Sequence, residues 1–230
     1  MGMISADQFL LIKHTLSLSF VAMAATAVFL GFVATQAQRS QRDALVLAGI
    51  GAGIAAYHQF LVVGSWDAAF VLISGDVTDT GYGFDKALRL AGRVFTVPIS
   101  VIALIMVLGL PRESASRKLA ALGCAAVLLA SLSYLGAMTS DPGMAATLIL
   151  LATLPLALIG YEVIAGLKDA PGARLAVVGS AALSHLVLLA SLLGSTGTAP
   201  IALGNLADFV GSAGVGVALY LFTARAAQAG

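Results

Sequence analysis

Seven long apolar stretches alternate with short polar segments along the chain of 230 residues. Each stretch has about 20 residues, enough for a helix to cross the roughly 30 Å of hydrocarbon in a bilayer. The linkers are short and rich in glycine, proline and charge, so neighbouring helices are expected to be antiparallel. The pattern predicts one all-α domain of seven membrane-spanning helices, at residues 9–35, 44–63, 85–108, 119–138, 144–166, 174–194 and 201–223.

The linker between the second and third stretches, residues 64–84, is longer than the others. Its sequence DVTDTGYG combines β-branched residues with turn formers, which is typical of a short hairpin. We therefore predict a small hairpin over the outer mouth of the bundle. The same linker holds Trp66, the only tryptophan in the chain.

Composition agrees with a membrane protein, because 60% of the residues are apolar and only 10% are charged. In soluble domains, about a quarter of the residues are charged. A net charge of +1 and the lack of a basic cluster argue against a nucleic-acid partner. The single cysteine, Cys124, has no second thiol in the chain to form a disulfide with.

The distribution of cations along the linkers predicts the orientation in the membrane. By the positive-inside rule, the cation-rich linkers face the cytoplasm, so the N-terminus faces outside and the C-terminus lies inside. We expect a multi-pass protein of a bacterial inner membrane, with the lipid bilayer as its main partner. The cations of the cytoplasmic linkers are Arg39, Arg42, Arg112, Arg117, Lys118 and Lys168.

Charged side chains inside the apolar stretches are the strongest indication of a functional site, since each is costly in lipid and needs a partner or a polar cavity. Arg89 and Arg93 are four residues apart in the third stretch, so they share a helix face. Asp208 and Ser212 have the same spacing in the seventh. His58 in the second stretch also lies within the apolar slab. We predict that these five residues meet inside the bundle.

Several segments resemble the microbial rhodopsin family, and the proteorhodopsin type in particular. They are AVFLGFVATQAQRSQRDALVLAGIGAGIAAYHQF, RVFTVPIS, SYLGAM, YEVIAG and, most specifically, NLADFV. The resemblance implies seven helices with the N-terminus outside. It also implies that Arg89 is the interior arginine of the third helix, that His58 is the histidine partner of the primary counterion, and that Asp208 is the second counterion.

This sequence departs from the family pattern at the residues that handle retinal. Four residues after Asp208, where the family has the lysine that binds retinal as a Schiff base, stands Ser212. Gly92 occupies the place of the primary counterion, Arg93 that of a tryptophan beside retinal, and Ala103 that of the proton donor. A hydroxyl cannot form an imine, and a pump needs a carboxylate on each side of it. We therefore expect no covalent retinal and no conventional light-driven pumping.

Several functions remain open from the sequence. The first is a small anion or an acidic ligand bound in the former retinal pocket by Arg89, Arg93, Asp208, Ser212 and His58, because an arginine fork suits such groups. Against it stands a purely structural network in which both arginines share Asp208. The second is an assembly or signalling subunit, as a homo-oligomer or beside another membrane protein. The third is a binder of non-covalent retinal or carotenoid.

Enzymatic activity is not expected. The sequence has no nucleophile with a base at helical spacing, no His or Cys cluster suited to a metal, and no phosphate-binding loop after a strand.

Overall fold

A computed structural model describes residues 4–107, 112–166 and 199–229, together with Leu175, Gly179 and Ala182, which are helical. The predicted sixth helix at 174–194, which includes His185, lies otherwise outside the described residues. The described part contains six helices and one hairpin. Their bounds are α1 Ala6–Gln36, α2 Arg39–Ala69, β1 Phe70–Ile73, β2 Asp76–Asp79, α3 Lys86–Val107, α4 Arg112–Met138, α5 Pro142–Gly166 and α6 Ala199–Ala229.

The helices are long because lipid offers the backbone no hydrogen-bond partners, so each N–H and C=O must pair within its own helix. Five of the described helices, α1, α2, α4, α5 and α6, are long and apolar enough to span a bilayer, and α3 contains a shorter apolar run over residues 91–106. At the start of α1, Ser5 and Gln8 form a capping box that satisfies free N–H groups.

The second helix is longer than its apolar run. Prediction placed it at 44–63, but α2 begins at Arg39 and ends at Ala69. Polar residues such as Arg42 and Asp43 fit the exposed first turns of a helix, so the change in hydropathy does not mark its start. Trp66 therefore lies in the last turns of α2 and not in a linker. Its side chain is fully buried, with its ring 4.6 Å from that of Phe70.

A hairpin follows α2, but its turn lies earlier than the sequence indicated. Phe70 pairs with Asp79 and Ile73 with Asp76. The two turn residues, Ser74 and Gly75, both have positive φ, at 53° and 94°, as a two-residue turn matched to the twist of the strands requires. The predicted DVTDTGYG supplies only the second strand, and FVLI supplies the first.

Each helix packs mainly on its neighbours in the chain, and α6 returns to pack on α1. Several glycines permit close approach, among them Gly51 and Gly216. A Cβ on Gly51 would lie 2.8 Å from Cγ2 of Ile99, and one on Gly216 would lie 2.8 Å from Cγ2 of Thr26. Packing roles are thus supported for these two, whereas Gly53 faces open space.

Two apolar clusters occupy opposite ends of the described bundle. The first lies at the hairpin end, where β1 and β2 are, and includes Phe9, Trp66 and Phe70. The second fills the half towards the opposite end, where α1 turns into α2 and α4 begins. The candidate site lies between these clusters and consists of the ion pair of Arg93 and Asp208, the imidazole of His58, and the buried polar side chains of Thr15, Ser19, Gln59 and Asn205.

Candidate functional site

An ion pair between Arg93 and Asp208 joins α3 to α6. Nη2 of Arg93 donates to Oδ1 of Asp208. The Asp208 side chain is only 8% exposed, while that of Arg93 is 24% exposed. A lone charge at this depth would be costly, and the pairing lowers the cost for both groups. These two predicted site residues are therefore in contact.

His58 packs against Gly92 where α2 crosses α3. A Cβ on Gly92 would lie 2.8 Å from Cγ of His58 and 2.9 Å from its Cβ. The imidazole therefore takes the space that a side chain at position 92 would fill. Nδ1 of His58 is buried and has no hydrogen-bond partner in the part of the chain that the structure describes. Position 92 is the one that the resemblance matches to the primary counterion, and here an imidazole covers it.

Arg89 and Ser212 occupy helical positions next to the ion pair. Arg89 lies four residues before Arg93 on α3, and Ser212 lies four residues after Asp208 on α6. Both are therefore on the helix faces that carry the ion pair. Their side chains lie outside the described part of the structure. Of the five predicted residues, the structure thus describes the side chains of His58, Arg93 and Asp208.

A group of neutral polar side chains extends the site towards α1. Asn205 is fully buried; its Nδ2 donates to Oγ1 of Thr15 at 3.1 Å, and its carbonyl accepts from Oγ of Ser19 at 2.5 Å. Gln59 on α2 donates to the carbonyl of Leu16 at 3.4 Å. Sequence reasoning missed this group. The available signal was spacing, since Thr15 and Ser19 are four residues apart.

Among the side chains that the structure describes, further ion pairs lie away from the site. Lys13 and Asp67 pair at 2.9 Å at the hairpin end, with side chains 40% and 42% exposed. Lys118 of α4 pairs with Glu162 of α5 near the opposite end. No group of three or more potential metal ligands occurs among the residues that the structure describes.

Solved structures of microbial rhodopsins have the same architecture as this chain. No protein-family model matches the chain, and no curated protein sequence does. Among solved structures, xanthorhodopsin, described as a light-driven ion pump with dual chromophore, is 24% identical with a TM-score of 0.89, covering 100% of this chain and 98% of its own. A thermophilic rhodopsin is 26% identical with a TM-score of 0.88, covering 100% and 99%. Blue light-absorbing proteorhodopsin from Med12 is 17% identical with a TM-score of 0.72, covering 94% and 98%.

The residues of α6 do not fit a covalently bound retinal. An imine requires a primary amine, and Ala199–Ala229 contains no lysine. Of the four lysines in the chain, Lys13 and Lys118 form ion pairs towards opposite ends of the bundle. Position 93, which the resemblance matches to a tryptophan beside retinal, carries a cation bound to Asp208.

The resemblance read from the sequence is thus confirmed at the level of the fold. Xanthorhodopsin and the thermophilic rhodopsin each cover the whole chain, and five of the described helices have the length and apolar character of membrane spans. The protein is an integral membrane protein with the microbial rhodopsin fold.

Proposed function

We propose that the protein works without covalently bound retinal, and so in the dark, as a binding protein and not as an enzyme. The observation that carries the proposal is Ser212. It stands one helical turn from Asp208, on a helix that has no lysine. Xanthorhodopsin, which is called a light-driven ion pump, has the same fold. In the present chain, α6 carries no amine with which the aldehyde of retinal could condense.

Reconstitution with all-trans retinal tests this proposal. The wild-type protein is expected to give no adduct that borohydride traps and no visible band that hydroxylamine bleaches. The matched variant Ser212→Lys supplies an amine on the same helix face, and it is expected to form a trappable adduct. A trappable, bleachable pigment in the wild-type protein would contradict the proposal. Colour that resists hydroxylamine would indicate non-covalent retinal or carotenoid instead.

We further propose that the interior site binds a small anion or an acidic ligand. Arg93 has five N–H donors, and its side chain is 24% exposed although Asp208 accepts from it. Arg89 adds a second cation to the same face of α3, one turn before Arg93. Nδ1 of His58, which lies against Gly92, is a buried polar atom without a partner among the described residues. Buried polar groups are normally hydrogen-bonded, so this atom is available to a bound ligand or to water.

Thermal unfolding in sodium chloride, nitrate and acetate tests anion binding. At 100 times its Kd an anion stabilises the folded state by about 2.7 kcal/mol, equivalent to a rise in Tm of about 5–10 °C for a chain of this size. The double variant Arg93→Gln/Asp208→Asn replaces the ion pair with a neutral pair and is expected to lose this response. Lys13→Gln, which removes an exposed cation instead, is expected to keep it.

If no anion raises the Tm of the wild-type protein, the ion pair is structural only. A subunit role would then be tested by purification in mild detergent, where a stoichiometric membrane partner or a ring of identical subunits supports it.

A further inference from the structure

The imidazole of His58 brings a titratable group into the interior site. Its Cγ and Cβ lie 2.8 and 2.9 Å from the position that a Cβ on Gly92 would take, so the ring rests on α3 one residue from Arg93. Its Nδ1 is buried and has no hydrogen-bond partner among the described residues. A neutral imidazole that carries its proton on Nε2 can take up a second proton at Nδ1 and then donate a hydrogen bond from that atom.

The charged groups nearest to this imidazole are mainly cations. On α3, Arg93 directly follows Gly92, and Arg89 lies one turn earlier on the same face as Arg93. On α6, the carboxylate of Asp208 is paired with Arg93. An imidazolium at His58 would therefore be a third cation in a region where one carboxylate is described.

The other elements packed on α2 offer the imidazole no further buried charge among the described residues. On α1, Lys13 is paired with Asp67 towards the hairpin end, with both side chains partly exposed, and His14 is exposed. The strand β1 has the sequence FVLI, without an ionisable side chain. On α2 itself, the ring of Tyr57 lies edge-on to the imidazole, with centroids 6.3 Å apart. The charge on the imidazole thus depends mainly on the two arginines and the carboxylate.

A bound anion would change this balance. Without an anion, a proton on Nδ1 is repelled by the arginines, and an additional charge at this depth is costly. An anion beside Arg93 offsets one positive charge and can accept a charge-assisted hydrogen bond from the protonated Nδ1. The proton and the anion therefore each favour binding of the other, and by linkage the coupling is equal in both directions.

We infer that His58 is a proton-binding site coupled to the anion site, so that the protein takes up an acid: the anion binds at Arg93 and the proton at Nδ1 of His58. This inference rests on the proposed anion site and defines its ligand class. One anion and one proton leave the solution, an N–H bond forms at Nδ1, and the net charge of the protein is unchanged. The affinity for the anion therefore falls as the pH rises between about 5 and 8, the range in which histidine side chains titrate.

Proton uptake provides the first test. Sodium chloride is added to the purified protein in weakly buffered detergent solution at about pH 6.5, and an indicator dye measures the protons that leave the solution. We expect uptake of up to one proton per protein. The Kd of chloride, from the dependence of Tm on its concentration, should rise by up to about tenfold per pH unit, the limit for one coupled proton.

The wild-type protein alone can overturn the inference. Chloride binding without proton uptake, and with a Kd that does not change with pH, would overturn the coupling and leave the anion site standing. If chloride, nitrate and acetate all fail to bind at any pH between about 5 and 8, the anion site and the coupling are overturned together.

A variant of His58 locates the proton. His58→Asn keeps Cβ and Cγ, the two atoms closest to a Cβ on Gly92, but it does not titrate in this range. We expect no proton uptake, and a chloride Kd that stays near the weak wild-type value at high pH. His14→Gln removes an exposed histidine of α1 instead and should keep both responses. Equal uptake in His58→Asn and the wild-type protein would place the proton on another group and overturn the inference.

Discussion

At the residue scale, only glycine fits at position 92 while His58 keeps its conformation. The atoms that a new Cβ would meet are Cβ and Cγ of His58, at 2.9 and 2.8 Å. They belong to the rigid base of the side chain, so rotation about its outer bonds gives no relief. Gly92 therefore lets the imidazole of α2 lie directly on α3 beside Arg93.

Gly92→Ala is expected to lower the free energy of unfolding by about 1–3 kcal/mol, the usual cost of overpacking. The measurement is thermal or denaturant unfolding in detergent. The matched control is Gly53→Ala, also in a helix but with no heavy atom within 4 Å of the new Cβ. It is expected to be neutral or to stabilise by up to about 1 kcal/mol.

A double-mutant cycle identifies His58 as the cause. In a His58→Ala background the clash is absent, so Gly92→Ala should lose most of its cost. An equal cost of Gly92→Ala with and without the imidazole would contradict this account of the contact.

The charged residues of the site could be predicted from the sequence, but the neutral polar residues could not. Asp208 was the one acid near the middle of an apolar stretch, and its pairing with a cation follows from the cost of a lone charge in lipid. Thr15 and Ser19 gave no such signal, because hydroxyls in helices often bond their own backbone. Both do so here, Thr15 to the carbonyl of Ile12 and Ser19 to that of Thr15.

At the element scale, α1 and α6 are held together by neutral hydrogen bonds where a glycine also allows contact. Towards the hairpin end, Asn205 forms hydrogen bonds with Thr15 and Ser19. Towards the opposite end, the missing side chain of Gly216 leaves room for the methyl group of Thr26. The two helices are far apart in sequence, so these contacts close the bundle between its first and last helices.

Asn205→Leu is expected to destabilise the protein by about 1 kcal/mol, since hydrogen bonds between membrane helices contribute about 0.6 kcal/mol and at most about 1.7. Unfolding in detergent measures the change. Adding Thr15→Val should then cost less than it does in the wild-type protein, because their shared bond is already lost. Thr35→Val, which removes only a bond within α1 to Phe32, is the control and should have little effect.

The ends of elements were the least predictable part of the fold. Hydropathy locates the segment of a helix that lies in lipid, but α2 continues beyond that segment at both ends. FVLI lies in the predicted linker at 64–84 and gave no strand signal, because four consecutive apolar residues lack the alternation of apolar and polar side chains that marks a half-buried strand. Its strand character depends on pairing with DVTD through a turn in which Ser74 adopts positive φ.

At the scale of the whole molecule, the fold was predictable because a single force dominates it. Long apolar runs have few alternatives to spanning helices when lipid is the solvent, and the solved rhodopsins match the resulting arrangement over the full chain. The orientation stays a prediction, since it depends on the distribution of cations in the linkers.

A cysteine in the hairpin tests the orientation. On a Cys124→Ser background, Thr78→Cys is expected to react with a membrane-impermeant maleimide in intact cells, because Thr78 is exposed in β2. Ser116→Cys, exposed near the start of α4, should react only after the membrane is permeabilised. The reverse pattern would show that the hairpin faces the cytoplasm.

The burial of Trp66 gives the molecule a built-in optical reporter. This indole is the only one in the chain, and it is fully buried among the rings of Phe9, Phe70 and Phe84. Its ring nitrogen has no hydrogen-bond partner among the described residues, so its fluorescence should be blue-shifted in the folded protein and move to longer wavelength once water reaches it. Loosening of α1, α2 and the hairpin can therefore be followed without any attached label.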